Sequence, residues 1–260
     1  MKKLLLLLLL FSFTVGSLLA QSTFKNRLSF GIEAGPQINS VRNGGLMNPK
    51  GRIAANVGVF VQYDISHSLN LSLGANYDPR GFETSARTQS LVLSDTGYIG
   101  YNSYYAYDMT YKINYLTIPL NITYLSSGSK FRLLVEGGVY FSIALKSHQK
   151  GYQGIYVDST DLPHYGDSTL TAGFHMTNYD STAANFFNAT DFGFHFAFGL
   201  VYQVSDKMAI TFKPGFNFGL TPIVSSPGVN LKWDRILKLN VGIVYKFHPY
   251  VKPKNEYILQ

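Results

Sequence analysis

The sequence predicts an all-β fold: an eight-stranded antiparallel up-and-down transmembrane β-barrel with short periplasmic turns and long extracellular loops. Three observations predict it. Eight segments alternate apolar and polar residues with period two, each long enough to cross a bilayer as a tilted strand, which needs about 9 to 11 residues. Charged residues make up only 14% of the 260, while aromatics reach 15%, with 19 Tyr and 19 Phe. Soluble domains carry about 25% charge, so something other than charge must cover this surface. Past the N-terminus, finally, no run of 18 apolar residues remains for a membrane helix.

The chain opens with Met1-Lys2-Lys3, an apolar stretch from Leu4 onward, and small residues up to Ala20. This is the pattern of a secretion signal. Residues 1–20 are expected to be cleaved and 21–247 to form the barrel, with 248–260 as a C-terminal periplasmic tail. Losing Lys2 and Lys3 lowers the formal charge from +7 to +5. The surplus is scattered, with no basic run of the kind that binds nucleic acid. The chain has no cysteine, which excludes a lipid-modified cysteine, disulfides and thiolate metal sites.

Segment one, near 28–40, sets Leu28, Phe30, Ile32, Ala34 and Ile38 against Ser29, Gly31, Glu33, Gly35 and Gln37. Segment two, near 52–64, sets Ile53, Val57, Val59, Val61 and Tyr63 against Asn56, Gly58, Gln62 and Asp64, and segment three carries Leu69, Leu71, Leu73 and Tyr77 opposite Asn70, Ser72 and Asn76. Asp78-Pro79-Arg80-Gly81 reads as a bend ending it. The fourth, near 110–125, has Leu116, Ile118, Leu120, Ile122 and Tyr124 on one parity. Ile113 lies on the other, which implies a bulge or a position already above the membrane. Pro119 is unusual in a strand interior. The fifth (131–145), sixth (190–203), seventh (207–221) and eighth (235–247) repeat the alternation, with Phe192, Phe194, Phe196 and Phe198 sharing a face in the sixth.

The connections at 64–68, 126–130 and 204–206 are tight, whereas 41–51, 84–109, 146–189 and 222–234 are long. This is the two-sided pattern of an outer-membrane barrel. A soluble barrel would turn the bulky face inward, but an eight-stranded interior is just filled by ordinary side chains, and six large residues per strand would overfill it. The Leu, Ile, Val, Phe and Tyr face is therefore assigned to lipid, with Tyr63, Tyr77, Tyr124, Tyr202 and Tyr245 as interfacial aromatics. Glu33, Arg132, Glu136, His195, Lys213 and Lys238 then point into the lumen. Charges so confined need partners. They suit an internal salt-bridge plug; the alternative is a proton path or small polar pore.

The strand Tyr115-Leu116-Thr117-Ile118-Pro119-Leu120-Asn121-Ile122-Thr123-Tyr124, with Asp191-Phe192-Gly193, Gly219-Leu220-Thr221 and Leu239 to Phe247, resembles the PorT-type outer-membrane β-barrel proteins of Bacteroidota. The resemblance implies that Pro119 belongs to the fold. Two departures stand out: Thr117 replaces that family's usual acidic residue, and a tail follows Phe247, where many such barrels end. The family name points to a protein-secretion system, a role not carried over to this chain.

In the long connections, Tyr98, Tyr101, Tyr104, Tyr105 and Tyr107 form either a binding surface, where Tyr offers large contact area at low entropic cost, or a loop folded on its own aromatics. Ser159, Ser168 and Ser181 lie in Asp-Ser-Thr triplets that resemble the O-glycosylation acceptor of Bacteroidota. A lipid-modifying enzyme would need Ser, His and an acid near the outer interface. Ser142 with His148 is the pair placed there, without a clear acid, and His164 with Asp161 lacks the tight spacing of a metal site. The reading is a non-enzymatic, monomeric barrel without cofactor or metal. Its partners are outer-membrane lipid and surface proteins or glycans met through the loops; the alternatives are a secretion accessory and a lipid-modifying enzyme.

Overall fold

The computed structural model describes residues 27–42, 49–93, 99–157, 173–182, 187–224 and 232–247. The expected signal at 1–20 and tail at 248–260 lie outside the described residues. Nine strands form one sheet: β1 (Leu28–Arg42), β2 (Lys50–Asp64), β3 (Leu69–Leu93), β4 (Ile99–Leu125), β5 (Phe131–Val157), β6 (Gly173–Thr182), β7 (Thr190–Gln203), β8 (Met208–Gly219) and β9 (Lys232–Lys246). Every described pairing between them is antiparallel, and β4 pairs β5 to close a ring of eight: β1-β2-β3-β4-β5-β7-β8-β9. Closure leaves the ring without a free edge. The ninth strand, β6, pairs with the far half of β5, from His148 to Val157, beyond the stretch of β5 that pairs with β7.

One end of the ring is held by three tight turns, each with a serine at its corner. Ser66 Oγ accepts from the Leu69 amide at 3.0 Å, Ser126 Oγ from Leu133 at 2.8 Å, and Ser205 Oγ from Met208 at 3.2 Å. Serine hydroxyls stabilise turns in this way. At the other end the strands run on past the ring. β3 and β4 stay paired from Glu83↔Thr110 to Leu93↔Ile99, and β4 and β5 from Asn114↔Lys146 to Tyr104↔Tyr156. The described residues of the connections at 84–109 and 146–189, expected as loops, are therefore largely β-ribbon.

The wall is apolar outside and polar inside. Phe30, Ile32, Val59, Leu73, Leu120, Ile122, Leu133, Phe194, Phe198, Leu239 and Val241 are exposed, whereas Ser29, Glu33, Gln37, Asn56, Asn76, Thr117, Asn121, Glu136 and Lys238 are buried. No helix among the described residues is long and apolar enough to span a membrane. Tyr77, Tyr124, Tyr202 and Tyr245 face outward and exposed, and Tyr63 shares their parity half-buried. Phe131 stacks on Tyr202 with centroids 4.8 Å apart near the tight-turn end.

Glycines make the polar interior possible where side chains cross the ring. A Cβ on Gly31 would meet the Phe60 ring at 2.2 Å, and one on Gly193 would meet the Tyr140 hydroxyl at 2.6 Å. Pro119 is accommodated because the β3–β4 register has no pairing of Gly74 and Ala75 with Ile118 and Pro119, and the proline ring lies against Gly74. The missing amide thus falls where the ladder is already open.

Of the two readings of Ile113, a bulge on β4 is overturned, and a position beyond the membrane band fits. β4 carries no slip between Ile113 and Thr123: Ile113, Tyr115, Thr117, Asn121 and Thr123 are all buried and share one parity. The bulge sits across the ladder on β5, where Asn114 pairs Lys146 and Tyr115 pairs Ala144, leaving Leu145 over. Ile113 faces inward because the interior itself turns apolar at that level. Val41, Phe82, Met109, Tyr111, Ile113, Phe187, Ile223, Val224, Trp233 and Ile236 form one buried cluster with Tyr115.

Candidate functional site in the barrel lumen

All eight ring strands deliver side chains to the lumen, since residues two apart on a strand share a face. On β3 the inward row Asn70, Ser72, Asn76 continues into Asp78 and Arg80, so the expected bend at 78–81 is a continuing strand. Arg80 has no exposed side-chain surface. Its Nε and Nη2 donate to Asp78 Oδ2 at 3.1 and 2.9 Å, Nη2 donates to Ser142 Oγ at 3.0 Å, and Nη1 bonds Asp191 Oδ2 across the ring. The guanidinium carbon lies 4.6 Å from the Tyr115 ring centroid, 5.3 Å from Tyr140 and 5.7 Å from Trp233. A planar cation is thus held by two carboxylates and faced by three π-systems.

The carboxylates are held in turn. Lys238 Nζ donates to Asp78 Oδ2 at 3.2 Å, as does Thr117 Oγ1 at 3.1 Å, and Asp191 accepts from Tyr140 at 3.0 Å and Thr221 at 2.6 Å. A second network lies nearer the tight turns. Lys213 Nζ stands 2.7 Å from Glu33 Oε2 and 3.6 Å from Glu136 Oε1. Glu136 also accepts from Asn121 at 3.1 Å and Thr123 at 2.9 Å, and His195 places one ring nitrogen 3.0 Å from it and the other 2.7 Å from Asn217 Oδ1. Asn240 donates to Glu33 at 3.1 Å and accepts from Asn56 at 3.0 Å. Below these, Leu125, Leu134, Val201 and Ala209 make an apolar collar.

Glu33, Glu136, His195 and Lys213 therefore come together in one cluster. Lys238 belongs instead to the Arg80 cluster, and Arg132 turns toward the tight-turn end, where its Nε donates to the Ser126 carbonyl at 2.9 Å and its Nη2 to that of His67. Asp78, Arg80 and Asp191 were not among the residues expected in this network. Their signal was available: Asp78 and Arg80 continue the Asn70 parity, and Asp191 shares that of Gly193 and His195.

The catalytic alternative does not assemble at Ser142 and His148. Ser142 is buried, its hydroxyl 2.8 Å from Thr117 Oγ1 and bonded by Arg80. His148 stands six positions along β5, roughly 20 Å at strand rise, where it pairs with Asp180 at 2.8 Å. Among the described residues no group of three or more His, Asp or Glu could hold a metal ion; His164 and Asp161 lie outside them. Tyr107 is half-buried, its hydroxyl 2.8 Å from that of Tyr111 and its ring against the apolar cluster. Tyr101, Tyr104 and Tyr105 lie on β4, with side chains outside the described set, as is all of Tyr98. Ser181 is exposed on β6 and accepts from Gln149 at 3.0 Å; Ser159 and Ser168 lie outside the described residues.

A closed eight-stranded ring, apolar outside and plugged by paired charges within, defines an integral β-barrel of the bacterial outer membrane. The chain belongs to the outer membrane protein beta-barrel domain family, whose model matches residues 19–225. Similar solved structures include Neisserial surface protein A, at 13% identity and TM-score 0.40 over 84% of this chain and 96% of that one. OprG from Pseudomonas aeruginosa is 15% identical with TM-score 0.37, over 86% and 97% of the two chains. Ail of Yersinia pestis, solved with the heparin analogue sucrose octasulfate, is 8% identical with TM-score 0.35, over 84% and 98%. No curated protein matches the chain. The tight turns accordingly face the periplasm and the ribbons the cell exterior.

Proposed function

We propose that this protein is a closed, non-enzymatic barrel that serves surface interaction or membrane integrity through its outer ribbons rather than passage through its lumen. The observation that carries this reading is the Arg80 network, which crosses the lumen from Asp78 on β3 to Asp191 on β7 beneath the Trp233 cluster. An ion crossing there would have to break charge-assisted hydrogen bonds among fully desolvated groups. The engagement of Ser142 by Arg80 and Thr117 supports the non-enzymatic part. Purified full-length protein in planar bilayers is expected to give no steady single-channel current; reproducible unitary currents would overturn the reading. PorT-type membership is the finer assignment we favour, supported by the strand from Tyr115 to Tyr124, in which Thr117 bonds Asp78 where that family's acid would stand.

A further inference from the structure

The outer wall of the barrel changes character at one level, and it does so unevenly. On β4 the outward row runs Leu120, Ile118, Leu116 and then Asn114 and Lys112; on β5 it runs Phe141, Ile143 and Leu145 to Lys146; on β9, Leu239 and Leu237 to Arg235. At the start of β7 and just past the end of β8 the corresponding outward positions are Thr190 and Leu220. The cations thus gather on the β9-to-β5 side, just beyond the apolar band. Arg52 lies against Gly81, where an added Cβ would meet its Cδ at 3.4 Å; Gly81 stands opposite Lys112, and Asn114, two residues from Lys112, stands opposite Lys146.

On that same side the wall has a seam. The β2–β3 ladder is interrupted between Gly51↔Phe82 and Val57↔Tyr77, so five residues of β2 face four of β3. A cleft of about 90 Å³ lies at the interruption, with Asn39, Arg52, Arg80, Lys112 and Asn114 in its lining beside apolar Ile53 and Pro79. Arg52 is partly exposed and reaches Glu83, the acid of this patch, at 3.6 Å. Ile53 is 73% exposed on the lipid-facing wall directly below.

We propose that this seam and the lysines beside it bind a phosphate group of a phosphorylated glycolipid in the outer leaflet. The placement requires an occupant that is anionic at the level of Arg52, Lys112 and Lys146 and apolar at the level of Ile53, which describes a lipid phosphate rather than a soluble anion. Arg52 supplies the forked donor, Lys112 and Lys146 compact ammonium charges, and Asn114 an amide beside them. The inference goes beyond the closed-lumen reading and depends on membrane placement alone, so a conducting barrel would leave it standing.

The test is native mass spectrometry of the full-length protein after exposure to bisphosphorylated lipid A or to the same lipid with both phosphates removed. The intact protein is expected to retain the bisphosphorylated form and lose the dephosphorylated one. The triple variant Arg52→Ala/Lys112→Ala/Lys146→Ala is expected to weaken retention about five-fold per charge, or about 100-fold in all. The triple variant Arg52→Lys/Lys112→Arg/Lys146→Arg should retain the lipid, as should Lys130→Ala/Lys207→Ala at the periplasmic turns. Heat-modifiable gel mobility reports folding, and the single Lys146→Ala variant keeps the test open if the triple does not fold. Equal retention of dephosphorylated lipid A, unchanged retention in the alanine variants, or equal loss in the periplasmic control would overturn the proposal.

Discussion

Within the membrane band the barrel is polar inside and apolar outside; a few residues further along the same strands, the order reverses. β4 shows both regions on one strand. From Tyr124 to Leu116 its outward residues are Tyr, Ile, Leu, Ile and Leu, while Thr123, Asn121 and Thr117 point in. From Asn114 to Asp108 its outward residues are Asn, Lys, Thr and Asp, while Tyr115, Ile113, Tyr111 and Met109 are buried. The strand does not slip between them. What changes is the solvent around the wall, lipid below and water above, and each face is filled to suit. Polarity therefore marks the membrane boundary, and parity marks the wall.

Substitutions at four positions separate the two regions, the largest effect first. Arg80→Ala leaves Asp78 and Asp191 buried without their shared cation and should cost about 3–5 kcal/mol, read as a lowered urea midpoint for the barrel in vesicles. Trp233→Ala removes the largest buried side chain of the outer cluster and should cost up to about 3–5 kcal/mol by cavity formation. Here the loss should follow volume: Trp233→Phe is expected to recover most of it, whereas no apolar residue at position 80 should rescue the lumen while both acids remain. The smallest effect separates the two outward faces. Leu120→Lys, on the lipid side, should cost about 2–4 kcal/mol; Asp108→Leu, outward and exposed above the membrane, should stay within about 0.5 kcal/mol.

The eight ring strands, the tight turns and the lipid-facing parity were legible because alternation and turn residues are local signals. The outer ribbons were not: at the top of β4 the alternation inverts, with Asp108, Thr110 and Lys112 outward and Met109, Tyr111 and Ile113 inward, so the membrane-strand pattern stops there and 84–109 and 146–189 read as loops. Lumen partners were half legible. Parity places Glu33, Glu136, Lys213 and Lys238 inside, but which acid meets which base depends on register across the ring: Lys238 bonds Asp78 from β9 to β3, a contact no local pattern encodes. Asp78 and Arg80 were obscured by the Pro79-Gly81 turn signature, which the flanking ladder overrides.

One unbroken strand, β4, carries both polarities. Because the chain has no cysteine, single cysteines at successive positions from 108 to 124, spin-labelled in reconstituted vesicles, can be tested for collisions with oxygen and with a water-soluble nickel chelate. Even positions from 116 to 124 should be oxygen-accessible, even positions from 108 to 114 nickel-accessible, and odd positions protected from both throughout. A reversal of the protected parity between 113 and 117 would mean that the strand slips at the membrane boundary instead of running through it.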